Sequence, residues 1–197
     1  KGVDDVVLGG IADRGDELFI LTNADDAIDF KVVTAPLNSP ERANWRDLIP
    51  YREGVYVIDV ELYAGHMVRL ERANALPAII IRDLKTGEEH AIAFDEAAYS
   101  LDTMGSYEFE TTNLRFSYSS MTTPSEVYDY DMAARTRVMR KRQEIPSGHN
   151  PADYVTTRIM APSHDGALVP VSILHRKDLV RDGSAPLLLY GYGSYGM

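Results

Sequence analysis

Leu114-Arg115-Phe116-Ser117-Tyr118-Ser119, followed after a short polar break by Val127-Tyr128-Asp129-Tyr130-Asp131, decides how this chain is read. Arg115, Phe116, Ser117 and Tyr118 alternate polar and apolar in period 2, which buries one face of a β-strand. The same pair of strands recurs upstream. Leu18-Phe19-Ile20-Leu21-Thr22-Asn23 and Met67-Val68-Arg69-Leu70-Glu71-Arg72 overlay the first member. Phe30-Lys31-Val32-Val33 and Ile79-Ile80-Ile81-Arg82 overlay the second. The spacing is about 48 residues, near the repeat length of propeller blades. Two of the second strands run into Asp83-Leu84-Lys85-Thr86-Gly87 and Asp131-Met132-Ala133-Ala134-Arg135, as neighbouring blade strands would. A β-sandwich with similar strand lengths is the plainer alternative, and the repeat favours the propeller.

Working outward, short runs rich in Val, Ile, Tyr and Phe predict strands over 17–22, 31–34, 54–61, 66–71, 78–83, 89–94, 115–119 and 126–131. No comparable stretch before residue 150 holds a 3.6-residue period, so this part reads as all-β. Around residue 143 the texture changes. Gln143-Glu144-Ile145-Pro146-Ser147-Gly148-His149-Asn150-Pro151 has two prolines, a glycine and no strand pattern, and reads as a linker. Beyond it, runs over 155–161 and 167–176 flank His164-Asp165-Gly166, a tight-turn signal. Ala185-Pro186-Leu187-Leu188-Leu189-Tyr190 is a continuous apolar run, the pattern of a strand buried on both faces in an α/β sheet. The boundaries expected are 1–145 for the propeller part and 146–197 for the linker and the start of an α/β domain.

Composition narrows the function classes. Hydrophobic residues are 45% and charged residues 25%, an ordinary globular balance. The net charge of -10 argues against a nucleic-acid partner, because no cluster of Lys and Arg offsets phosphate repulsion. There are no cysteines, which removes disulfides, thiolate metal sites and a Cys nucleophile, and suits a reducing compartment. No apolar run approaches the ~20 residues of a membrane span, so no membrane partner is expected. Lys1 and Met197 read as cut ends of a longer chain.

Candidate chemistry is sparse. Gly191-Tyr192-Gly193-Ser194-Tyr195-Gly196 formally matches a dinucleotide-binding loop, but the helix and acidic residue that would complete that context do not follow. A plain turn is one alternative; the donor loop of an α/β-hydrolase oxyanion hole is another. No G-x-S-x-G elbow presents a serine. His66, His90, His149, His164 and His175 lack metal-ligand spacing, and His149 and His164 read as solvent-exposed. Adjacent His164 and Asp165 cannot face one another as a catalytic pair. Asp4-Asp5, Asp25-Asp26 and Glu88-Glu89 read as solvated turns, and Trp45 as a packing residue on a connection between blades.

Several stretches together carry a resemblance. Ala43-Asn44-Trp45-Arg46-Asp47-Leu48-Ile49-Pro50, Gly105-Ser106-Tyr107-Glu108-Phe109, residues 115–124 and 127–131, Pro146-Ser147-Gly148-His149 and Tyr190-Gly191-Tyr192-Gly193 resemble the oligopeptidase B branch of the prolyl oligopeptidase family. The likeness runs over nearly the whole chain. It implies a mainly β fragment holding the last blades of a seven-bladed β-propeller, then the first strands of an α/β-hydrolase domain. It implies a serine endopeptidase that cleaves short peptides after Lys or Arg, with neither metal nor organic cofactor, and a cytoplasmic or periplasmic location. The triad serine, aspartate and histidine and the residues selecting a basic side chain would lie downstream, so this segment alone is expected to be inactive. One position carries over: Tyr192 matches the family tyrosine whose hydroxyl helps bind the oxyanion. The propeller would cap the site and admit flexible peptides only.

A non-enzymatic propeller that binds peptides, and a hydrolase of the same architecture with another specificity, remain open alternatives. The resemblance also makes the remainder of its own polypeptide a necessary partner. Expressed alone, the segment is expected to aggregate, because its strand edges and half-built sheet are uncovered.

Overall fold

Strand pairing organises the chain from its first described residues onward. In the computed structural model, which describes residues 8–192, twelve strands form three consecutive four-stranded antiparallel sheets. Sheet 1 holds β1 (Leu8–Arg14), β2 (Glu17–Thr22), β3 (Lys31–Pro36) and β4 (Arg46–Ile49). Sheet 2 holds β5 (Val55–Leu62), β6 (His66–Ala73), β7 (Leu76–Asp83) and β8 (Glu89–Ala91). Sheet 3 holds β9 (Tyr99–Thr103), β10 (Asn113–Ser120), β11 (Glu126–Asp131) and β12 (Thr136–Arg142). Each sheet is a meander in chain order, and a separate hairpin follows, β13 (Tyr154–Pro162) with β14 (Leu168–Arg176).

The recurring pair read from the sequence is β2–β3, β6–β7 and β10–β11, the two middle strands of each sheet. Their apolar side chains are buried between sheets. Phe19, Leu21, Val32 and Ile49 of sheet 1 meet Val57 and Met67 of sheet 2. On the opposite face of sheet 2, Val68, Leu70, Ile79 and Ile81 meet Leu114, Phe116 and Tyr130 of sheet 3. Residues 66–71 of β6 are therefore buried on both faces, where period-2 alternation alone predicts one.

Two turns repeat the same chemistry. Asp83 Oδ1 accepts the N–H groups of Lys85 and Thr86 at 2.8 and 2.7 Å, and Gly87 N–H returns to Asp83 O at 2.8 Å. Asp131 Oδ1 accepts those of Ala133 and Ala134 at 2.9 and 2.8 Å, and Arg135 N–H returns to Asp131 O at 2.8 Å. The closing residue is left-handed in both, φ +76° at Gly87 and +57° at Arg135. A local carboxylate that stands in for a backbone acceptor is what makes Asp a turn starter.

Three expectations are corrected. Trp45 packs as expected, against Ile20, Val33 and Ala35, but it lies on the β3–β4 connection within sheet 1 rather than between sheets, and its Nε1 donates to Pro40 O at 2.9 Å. The predicted strand over 89–94 stops at Ala91. The run 185–190 forms no strand: Leu187, Leu188, Leu189 and Tyr190 are 85%, 89%, 82% and 83% exposed. A strand exists only by pairing, and no described strand lies alongside this one.

Candidate functional site

The chain leaves sheet 3 at the end that carries the β10–β11 turn, and the polar groups there converge. Ser120 Oγ accepts the N–H groups of Thr122 and Thr123 at 3.0 and 2.8 Å, which shapes the turn. Glu96, on the segment joining sheets 2 and 3, accepts the Thr122 hydroxyl at 3.2 Å and also the Thr123 hydroxyl. Burial pushes the Glu96 carboxyl up, but the hydroxyls of Ser120, Thr123, Tyr118 and Thr122 more than reverse this and hold it below the ordinary glutamate range. Burial, with Glu96 beside it, pushes the Tyr118 phenol well above its usual value, so it stays a donor. These groups build a platform rather than an acid–base pair, because each is already satisfied by a neighbour.

Onto this platform the linker docks. His149 Nε2 donates to Thr122 O at 2.6 Å, and its ring stacks on Tyr154 with centroids 5.6 Å apart. A carbonyl only accepts, so Nε2 carries the hydrogen. The sequence reading of His149 as solvent-exposed holds for its accessibility and misses this bond.

A second concentration of charge lies on the face of sheet 2 that carries Met67. Arg69, only 1% exposed, donates to Glu71 at 2.8 Å and through both terminal nitrogens to Glu89 at 2.8 and 2.9 Å. Arg52 adds a bond to Glu71, and Arg82 one to Glu89 at 2.9 Å. Burial raises the Glu89 carboxyl, and the Arg69 and Arg82 hydrogen bonds more than offset it, leaving the group below the ordinary range. Reading Glu88-Glu89 as a solvated turn is thus corrected for Glu89, which sits on β8 and pairs with a buried cation. Asp25, read likewise, bridges Lys31 and Arg42 at 3.0 and 2.8 Å. Asp4 and Asp5 lie outside the described residues.

The remaining candidates stay apart. Tyr192 sits in coil, 58% exposed, with no hydrogen bond to a described residue. Gly193, Ser194, Tyr195 and Gly196 of its loop lie outside the described residues. His164 is exposed in the β13–β14 turn at 3.4 Å from Ser163 Oγ, while Asp165 Oδ1 accepts Ala167 N–H at 3.1 Å; the two serve the turn separately. Among the described residues no three His, Asp or Glu side chains are placed to hold a metal ion. No described helix is long and apolar enough to cross a membrane.

Comparison with known proteins places this geometry. The family description "Prolyl oligopeptidase, N-terminal beta-propeller domain" matches residues 10–143. Dipeptidyl aminopeptidase BI of Pseudoxanthomonas mexicana is 44% identical over 184 residues, covering 92% of this chain and 25% of that protein. Protease 2 of Moraxella lacunata is 25% identical over 193 residues, 98% of this chain and 27% of its own length. The structure of oligopeptidase B from Trypanosoma brucei with covalently bound antipain, in a closed form, superposes with a TM-score of 0.86 at 29% identity. That likeness covers 95% of this chain and 28% of that one. The chain therefore spans about a quarter of the length of the curated relatives it matches. Three meandering four-stranded sheets, matched across residues 10–143, make the chain a member of the prolyl oligopeptidase family of peptidases, carrying part of its N-terminal β-propeller.

Proposed function

We propose that the full-length polypeptide is a serine oligopeptidase that hydrolyses short peptides after Lys or Arg. Residues 1–145 contribute β-propeller blades, and residues 146–197 open the α/β-hydrolase domain. The observation that carries this reading is the likeness to oligopeptidase B, which extends over 95% of the chain, past the propeller match and into the hairpin. A serine downstream attacks the scissile carbonyl with a histidine as base. The Tyr192 hydroxyl, free of described partners, stabilises the tetrahedral oxygen together with a backbone N–H. The propeller restricts access to flexible peptides and keeps bulk water and folded chains away. The reading calls for no metal or organic cofactor, and a cysteine-free segment suits the cytoplasm, with the periplasm as the other location.

The 44% identity to a dipeptidyl aminopeptidase favours a second reading, release of dipeptides from a free N-terminus. One experiment separates them. The full-length protein is assayed on an N-blocked arginyl p-nitroanilide and on a dipeptidyl p-nitroanilide with a free amine. Cleavage of the blocked compound supports the endopeptidase; cleavage of the free-amine compound alone selects the second reading. Hydrolysis of neither sinks both and leaves a binding propeller.

A further inference from the structure

Among the described residues, one side chain of the linker hydrogen-bonds to the propeller sheets. After β12, Gln143 N–H donates to Ser125 O at 2.8 Å, and the sheet ladder ends there. Gly148 then turns the chain at φ +80°, its N–H returning to Ile145 O at 2.9 Å. An open cleft of about 610 Å³ lies against this stretch, lined by Thr123, Pro124, Arg142, Ile145, Pro146 and His149. Most of the linker is therefore not packed down. Among the described residues, no other side chain of 143–149 hydrogen-bonds to the three sheets.

His149 is also where three parts meet. Its Nε2 reaches Thr122 O on a turn that Ser120 and Glu96 hold rigid. Its ring lies on Tyr154, the first residue of β13. The short helical turn between them is braced by Asn150, which accepts Ala152 N–H at 3.1 Å and donates to Asp153 at 3.0 Å. Asp153 O in turn accepts Lys177 N–H at 2.9 Å, which ties in the far end of β14. The hairpin and its leading turn are thus braced together, and among the described residues the one side-chain hydrogen bond between that piece and sheet 3 is the His149 donor.

We infer that His149 is a positioning residue, a latch whose single hydrogen bond to Thr122 O fixes the hairpin against the end of sheet 3. Opening between them proceeds by release of that bond, with Gly148 as the swivel. The consequence for access of substrate rests on the peptidase reading; the mechanical role does not.

Two substitutions divide the ring's contributions. His149→Phe keeps the stack on Tyr154 and removes the donor. His149→Gln keeps an amide donor at a similar reach and removes the ring. The side chain is exposed, so neither change disturbs a core. Nitroxide labels are placed at Ala134→Cys and Ala167→Cys, both exposed positions, in the full-length polypeptide. This segment has no cysteine of its own, and any outside it are replaced by serine. Pulsed dipolar spectroscopy then reads the distance between sheet 3 and the hairpin.

The parent and His149→Gln are expected to give one narrow distribution. His149→Phe is expected to add a longer component, with the open-to-closed ratio raised about fivefold, as loss of one hydrogen bond does to an equilibrium. A distribution in His149→Phe superimposable on the parent overturns the latch. Broadening in His149→Gln alone assigns the role to the stacked ring and overturns the hydrogen bond, and equal broadening in both overturns the claim that the single hydrogen bond suffices. In the same proteins kcat/KM on long relative to short arginyl peptides should follow the open fraction. An inactive parent would defeat the peptidase reading and leave the distance result standing.

Discussion

Replacing Arg69 by methionine tests whether the charges of sheet 2 act as one unit. The wild-type guanidinium is 1% exposed and makes three hydrogen bonds, one to Glu71 and two to Glu89. Methionine fills much of the volume but leaves Glu71, 4% exposed, with Arg52 as its remaining cation. Breaking a buried pair on one side costs about 3–5 kcal/mol, because the partner stays buried without compensation. Arg52 survives, and Glu89 keeps Arg82, so the low end applies, about 3 kcal/mol. That corresponds to a rise of roughly a hundredfold in local opening. Amide hydrogen exchange of full-length protein, read on peptides spanning 66–83, measures it without assuming that the whole molecule melts in one step. The double variant Arg69→Met/Glu71→Leu removes both charges, and its exchange should lie well below the sum of the singles, since a buried ion pair replaced by apolar groups is near neutral. Unchanged exchange in Arg69→Met, or strict additivity in the pair, would refute the reasoning.

The carboxylates of Glu89, Asp25 and Asp129, all held below their ordinary values in the folded chain, give an acid limit. The unfolded chain binds their protons more readily, so stability is complete above the ordinary carboxylate range and falls as pH drops through the lowered folded values; an acid titration followed by circular dichroism should show loss only below about pH 4.5. Gly87→Ala places a Cβ at φ +76°, with Arg82 Nη2 3.3 Å away, and should destabilise the β7–β8 turn by about 1 kcal/mol, visible as faster exchange over 84–90. Tyr192→Phe in the full-length protein should cut kcat on an arginyl substrate by more than tenfold, since one oxyanion donor supplies about 2.7–4 kcal/mol; an unchanged kcat removes the residue from the mechanism.

The middle strands of each sheet were legible because they carry the burial. Leu18-Phe19-Ile20-Leu21 and Val68-Arg69-Leu70 must be apolar where they meet a neighbouring sheet, so their pattern repeats with the blade. Among the flanking strands, β5 and β8 were still read, but β4 and β12 escape that rule. β12 is exposed at all seven positions and carries Arg137, Arg140, Lys141 and Arg142, which blunts an edge but gives no strand signature. β4, Arg46-Asp47-Leu48-Ile49, is too short and too charged to stand out. The Arg69–Glu71 pair was hidden for a different reason. Alternating charges on a strand describe a solvated face equally well, and only the tertiary partner tells them apart. Leu187-Leu188-Leu189 shows the converse, since composition states a demand for cover but cannot supply the neighbouring strand. At the candidate site, Pro146-Ser147-Gly148-His149 was visible as a linker, whereas its bond to a backbone oxygen left no trace in residue types.

The two faces of sheet 2 should answer temperature differently. Toward sheet 3 it offers Val68, Leu70, Ile79 and Ile81, an apolar contact whose driving force fades on cooling, rimmed by the Arg135–Glu88 pair. The opposite face carries, beside Met67, a five-member lattice of Arg52, Arg69, Glu71, Arg82 and Glu89, bonded within sheet 2 and the segment leading into it, whose desolvation penalty shrinks on heating. In the cold the apolar contact with sheet 3 weakens first; near the melting temperature the lattice holds the strands of sheet 2 to one another longer. A sheet with both kinds of contact keeps its strands in register over a wider thermal range than either would alone.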